Sequence, residues 1–267
     1  VINLAITCLV IQSIFFILFY IARHLSKTLK AWECWIFIPL AYLCCTTLCI
    51  CEILAVKIGG EGQHITVLNT DTITTRIKIN IIAEYIDITA ITSTKLAILI
   101  LYYRIFSVWP KFQIAIYFTT LIVLGTWIGA LVLSIVKCHP FSSQWDHTIK
   151  GGQCGDSIRA YQFLFIPNII TDCIMLVILC YAVYKLQVQL PTKISILTTL
   201  LTGSIGIITS VLRMLSFLNN TSLLNDFTYN SVSLTLFTII EASTYFIAAC
   251  MLSLRPFKRY IFKGKSF

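Results

Sequence analysis

Glu84, Asp87 and Lys95 stand inside one apolar run, NIIAEYIDITAITSTKLAILILYYRIF, which covers residues 80–106. An ionisable side chain near the centre of a membrane helix costs at least about 2.5 kcal/mol unless it faces protein or water. Three on one segment therefore place that segment inside a bundle, where it supplies part of a polar interior. Glu84 and Lys95 are three turns apart and share a face, but at ~1.5 Å rise per residue about 16 Å separates them. Their partners must come from other segments, which offer Glu52, Asp172, Arg213 and Glu241. Counted from the segment ends, Lys95 and Asp172 lie within one turn of each other in depth, which predicts a pair. Arg213 lies level with Glu52, Glu84 and Asp87 and is expected to pair with at least one of Glu84, Asp87 or Glu241. Such a set can be a lattice that fixes helix register, or it can line a ligand pocket or an ion path. The excess of acids over Arg213 suits a polar or cationic small molecule.

Other chemistries find little support. The chain has no HExxH, GxSxG, phosphate loop or paired CxxC, so no catalytic residue, cofactor or enzymatic activity is expected. His139, Asp146 and His147 have the types to hold a metal, but they fall in a loop bracketed by Cys138 and Cys154, and no metal site is expected there. The glycine-rich GGEGQH, residues 59–64, neither follows a strand nor opens a phosphate-binding helix and is read as a flexible turn above the pocket. A retinal protein needs a buried lysine in its last helix, and residues 230–254 contain none.

The elements that must position these residues follow from composition. Of 267 residues, 58% are hydrophobic and 12% charged, with mean hydropathy +0.87. A soluble domain carries about 25% charged residues. Half that share, with apolar runs near 20 residues, predicts an all-α membrane protein. Seven spans are expected, at about 2–22, 34–57, 79–105, 112–136, 160–184, 194–216 and 230–254, in a single domain over 1–267. The opening run lacks a basic leader and a small-residue cleavage site, so it reads as a membrane helix rather than a signal peptide. With the amino terminus outside, twelve Lys and Arg fall on inner segments and six, including Arg76, on outer ones. That asymmetry predicts an outside amino terminus and a cytoplasmic carboxyl terminus. It also accounts for the formal charge of +9 without nucleic acid, and the basic tail RPFKRYIFKGK suits anionic lipid headgroups.

Two features agree with this orientation. The overlapping sequons at Asn219 and Asn220 fall in an outer loop, and so do Cys138 and Cys154, where a disulfide would persist and gain roughly 3 kcal/mol from loop closure. The other cysteines suit a packed interior. Gly125 with Gly129, and Gly203 with Gly206, are read as sites of close helix approach. Pro39 and Pro167 are expected to bend their helices.

The ordered stretches GGEGQH, TSTKLAILILYYRIF, KCHPFSSQWD…GGQC, PNIITDCIML, PTKISILTTLLTGSIGIITSVLRM, NDFTYNSVSLTLFTIIEAS and CMLSLRPF resemble the fungal rhodopsin-like seven-helix integral membrane family, which includes receptor-like proteins linked to fungal pathogenicity. The resemblance covers nearly the whole chain. It implies seven helices, an outside amino terminus and a receptor-like role at the plasma membrane. It places Lys95, Asp172, Arg213 and Glu241 at the family's polar helix positions and Cys138 and Cys154 at its loop cysteines. The function expected is therefore sensing of an extracellular small molecule, with an intracellular signalling protein as a further partner; the alternative is a small-molecule or ion transporter.

Overall fold

The computed structural model describes residues 1–25, 36–105, 110–146, 149, 152–155, 157–185, 190–219 and 227–253, with side chains described for 1–25, 36–104, 110–146, 149, 152–155, 166–181, 200–201, 203–215 and 228–252. Among these described residues seven α-helices follow one another: α1 Ile2–Leu25, α2 Ile38–Lys57, α3 Thr70–Ile105, α4 Pro110–Val136, α5 Ser157–Lys185, α6 Leu190–Asn219 and α7 Phe227–Ser253. Five of them (α1, α2, α3, α4 and α7) are long and apolar enough to cross a membrane over their described residues. Each helix packs on the next, α7 closes the ring against α1, and α3 meets α7 across the middle. The core joins Phe19, Leu48, Leu99, Leu179 and Phe246 from five helices. Outward faces stay apolar, as on α4, where Ile114, Leu121 and Val136 are exposed. An apolar outside around an interior that joins an apolar core to buried charges differs from a soluble bundle, and it is the arrangement a bilayer requires.

Boundaries agree with the sequence to within a few residues, save for α3. That helix begins at Thr70, nine residues before the expected start, and its 36 residues span about 54 Å, well beyond a hydrocarbon core of about 30 Å. Its first turns are polar yet helix-competent. Asp71 sits in the first turn, where a carboxylate meets the positive end of the helix dipole, and Thr74 and Thr75 donate back to the carbonyls of Thr70 and Asp71 at 3.0 and 2.8 Å.

Two proline and glycine expectations are corrected. Pro39 occupies the first turn of α2 rather than its interior, the position a helix tolerates best; Pro167 does lie inside α5. A Cβ at Gly125 or Gly129 would meet nothing within 4 Å, so this GxxxG points away from its neighbours. The α6 pair behaves as expected: Cβ atoms there would lie 3.4 Å from Leu176 and 3.1 Å from the Tyr245 ring.

The α4–α5 connection is a compact cap. Cys138 pairs with Cys154 and His139 with Gln153 in a two-strand ladder, β1 Cys138–His139 and β2 Gln153–Cys154. A disulfide joins Cys138 to Cys154. The amide of Gln144 donates to the Ser134 carbonyl at 2.9 Å, and Lys78 Nζ lies 5.8 Å from the centre of the Trp145 ring. The cap is thus tied to α4 and α3. Asn219 closes α6, and Asn220, Lys27, Lys30, Lys150 and the tail from Arg255 onward lie outside the described residues.

Candidate functional site

Lys95 is 2% exposed at mid-depth on α3. Its Nζ lies 2.7 Å from Asp172 Oδ1 and donates to Asn168 Oδ1 at 2.7 Å, the Asn168 carbonyl at 3.1 Å and Thr171 Oγ1 at 3.0 Å. Tyr245 on α7 donates its hydroxyl to Asp172 Oδ2, so one carboxylate is held from two helices. This is the pair that depth alone predicts, and its surroundings satisfy the buried charge as a low-dielectric interior demands.

The network continues toward the disulfide end of the bundle. Asn168 Nδ2 donates to Glu241 Oε1 at 3.2 Å, and Ser210 Oγ donates to the same oxygen at 2.5 Å. Arg213 Nη2 lies 3.0 Å from Glu241 Oε2, while Nη1 donates to Asp87 Oδ2 at 3.1 Å and Thr238 Oγ1 at 3.3 Å. Arg213 therefore pairs with Asp87 and Glu241. Glu84 is engaged elsewhere, accepting from Ser134 Oγ on α4 at 2.8 Å.

Above this network lies a cavity of about 210 Å³. Glu52, Glu84, Asp87 and Arg213 line it together with Trp127, Thr235 and apolar positions on α3 and α7. Lys95, Asp172 and Glu241 are not among its lining residues and form the layer beneath. Glu52 is 4% exposed and its Oε2 has no hydrogen-bond partner; Asp87 Oδ1 is likewise unpartnered.

A further buried ion pair lies near the disulfide end and corrects two expectations. Arg76, counted as an outer topology charge, is 1% exposed, and its Nη2 lies 3.1 Å from Glu61 Oε1. Thr235 Oγ1 donates to that oxygen at 2.5 Å. The GGEGQH turn is therefore docked rather than flexible. Gly62 N–H donates to the Thr228 carbonyl at 3.0 Å, Thr228 Oγ1 donates to the Gln63 carbonyl at 2.7 Å, and His64 stacks on Tyr229 at 4.5 Å. Gly60 and Gly62 take positive φ, 66° and 91°, the region glycine enters without a Cβ clash. One sequence signal existed: Arg76 precedes Asp87 by eleven residues, three turns, and so shares its face. Arg23, also counted among the topology charges, is 5% exposed with its guanidinium 5.6 Å from the centre of the Phe19 ring.

A ring of apolar helices, five able to cross a membrane, around a charged network and a cavity defines an integral membrane protein with a polar interior. The chain matches the fungal rhodopsin domain over residues 19–260 and belongs to that family. It is similar to the polyenoic acids biosynthesis gene cluster protein Ba17b of Metarhizium anisopliae, with 32% identity over 217 residues, 76% of this chain. The chain spans 58% of that relative's length. No solved structure matches it.

Proposed function

We propose that this protein is a receptor-like protein of the plasma membrane that takes an extracellular small molecule into the cavity between α3, α4 and α7. The observation that carries this reading is the cavity itself: about 210 Å³, lined by three carboxylates, a guanidinium and a tryptophan. Pockets that bind small molecules combine an apolar lining with a few convergent polar groups in this way. The cavity lies toward the end that bears the disulfide cap, and the basic-residue asymmetry supports reading that end as the outer one. Beneath it, Arg213 and Asn168 connect the cavity to Glu241 and the Lys95–Asp172 pair. A ligand that changes the partners of Arg213 changes contacts among α3, α6 and α7 at once, which is the differential contact that a two-state receptor needs.

A transporter must open the same site to both sides. The layer under the cavity, with Lys95 2% exposed and Glu241 0% exposed, favours the receptor reading, and an enzymatic role is not proposed. The test uses the purified chain in nanodiscs, screened by equilibrium dialysis against a metabolite library, followed by flux of each hit into proteoliposomes. Saturable binding without flux supports a receptor. Ligand-dependent flux establishes the transporter instead, and the absence of any saturable ligand overturns the pocket.

A further inference from the structure

We propose that the cavity recognises an organic cation, a small amine whose ammonium group is seated between Glu52 and Asp87. This rests on the pocket reading above and assigns the ligand's class. Glu52, on α2, is more than nine-tenths buried. It lines the cavity, and its Oε2 carries no hydrogen bond from the protein. Asp87, on α3, lines the same cavity, and its Oδ1 is likewise without a donor, because Arg213 engages the other oxygen. Two carboxylates line one cavity, each with an oxygen that no protein donor engages, and they can accept from a donor carried by the ligand. An ammonium supplies up to three N–H donors and the opposite charge together.

The remaining lining fixes the rest of the molecule. Ile88, Ile91 and Leu234 give the cavity apolar walls, and Trp127 adds a ring of the kind on which cations settle most favourably. A dry cavity of about 150 Å³ holds benzene, so about 210 Å³ accommodates a single ring with a short aminoalkyl chain. A carboxylic acid of that size would meet Glu52, Glu84 and Asp87 with like charge. Its only compensation from the lining would be Arg213, which already serves Asp87 and Glu241. A neutral alcohol would donate once and leave one oxygen bare.

The experiment compares three probes of equal shape, phenethylamine, phenethyl alcohol and phenylacetate, by isothermal titration against the full chain in nanodiscs, with empty nanodiscs subtracted. Phenethylamine is expected to bind saturably and at least tenfold more tightly than the alcohol, with phenylacetate weaker still. Glu52→Gln keeps the shape and removes the charge, and it should weaken the amine by at least about 30-fold. Asp71→Asn, on the exposed first turn of α3, should leave it unchanged. Asp87→Asn serves as the second variant if Glu52→Gln does not fold. Equal or tighter binding of the alcohol or of phenylacetate overturns the cation class while leaving the pocket reading intact. Amine affinity unchanged in both E52Q and D87N overturns the site. Failure of all three probes overturns the inference, and the metabolite screen then decides the pocket separately.

Discussion

Removing the charge of Lys95 is expected to do more damage than removing it together with its partner. Lys95 and Asp172 are 2% and 4% exposed and 2.7 Å apart, in a bundle interior where water cannot substitute for either. Lys95→Met preserves volume but strands the Asp172 carboxylate, which then keeps, among the described residues, the Tyr245 hydroxyl alone. Breaking a buried pair in this way costs about 3–5 kcal/mol, because the remaining charge is uncompensated. At about 2–3 °C per kcal/mol for a chain of this size, thermal unfolding should fall by roughly 6–15 °C. Asp172→Asn strands the ammonium instead, but Asn168 and Thr171 still accept from it, so its loss should be the smaller. The double variant removes both charges and should recover up to about 3 kcal/mol relative to the sum, more than the Asp172→Asn loss itself, within the range for contacting buried groups. The assay is thermal unfolding of the four proteins in one detergent, followed by tryptophan fluorescence. Strict additivity of the two single losses would refute the coupling and, with it, the pairing.

Three further outcomes are expected. Single cysteines at Val67, 78% exposed beside the α2–α3 turn, and at Lys111, exposed at the start of α4, should be labelled from opposite sides by an impermeant thiol reagent; labelling of both from one side sinks the topology. Gly206→Ala should destabilise, since its Cβ would lie 3.1 Å from the ring of Tyr245, which its bond to Asp172 holds in place. Gly129→Ala meets open space and should be neutral or stabilising by up to about 1 kcal/mol, so equal effects in unfolding scans would show the packing to be wrong. Without ligand, Glu52→Gln should raise the unfolding temperature, because it keeps the shape and removes a buried negative charge that has no ion-pair partner among the described residues, a defect worth several kcal/mol; a fall of similar size would mean that Glu52 has a structural partner.

What the sequence discloses here depends on contrast. A charge in an apolar run is conspicuous, so Lys95, Asp172, Arg213 and Glu241 could be selected, and helix depth sufficed to pair Lys95 with Asp172. The neutral groups that complete the network, Asn168, Thr171, Ser210 and Tyr245, have no such contrast, because Ser, Thr and Tyr are scattered over every segment. Arg76 was hidden for a different reason. A basic residue close to a helix end has an adequate explanation in topology, and only the docking of Glu61 from the preceding turn shows that it faces inward. Gly125 and Gly129 illustrate the converse failure. Their spacing puts both on one face, but spacing does not say which face, and their neighbours Leu121, Ile128 and Val132 are 69%, 55% and 52% exposed.

The distribution of charge divides this interior into matched ion pairs and an acid-rich wall around the cavity. Around the cavity and its network, six carboxylates (Glu52, Glu61, Glu84, Asp87, Asp172 and Glu241) share three bases, Arg76, Lys95 and Arg213. Glu61 is matched to Arg76 and Asp172 to Lys95, one base for each acid, and both pairs cross between elements and fix register. Neither of these acids touches the cavity. The imbalance falls on the others, and three of those four line the cavity wall. A lattice whose only task was register would gain nothing by concentrating acids in excess of bases along a cavity wall, since each buried charge costs several kcal/mol in a low-dielectric interior. A site whose occupant brings positive charge turns that same cost into differential affinity. Arg213 stands where the two regimes meet, one nitrogen toward Asp87 at the cavity and the other toward Glu241 beneath it, so a cation that competes for Asp87 alters the pull on α6 and α7 together.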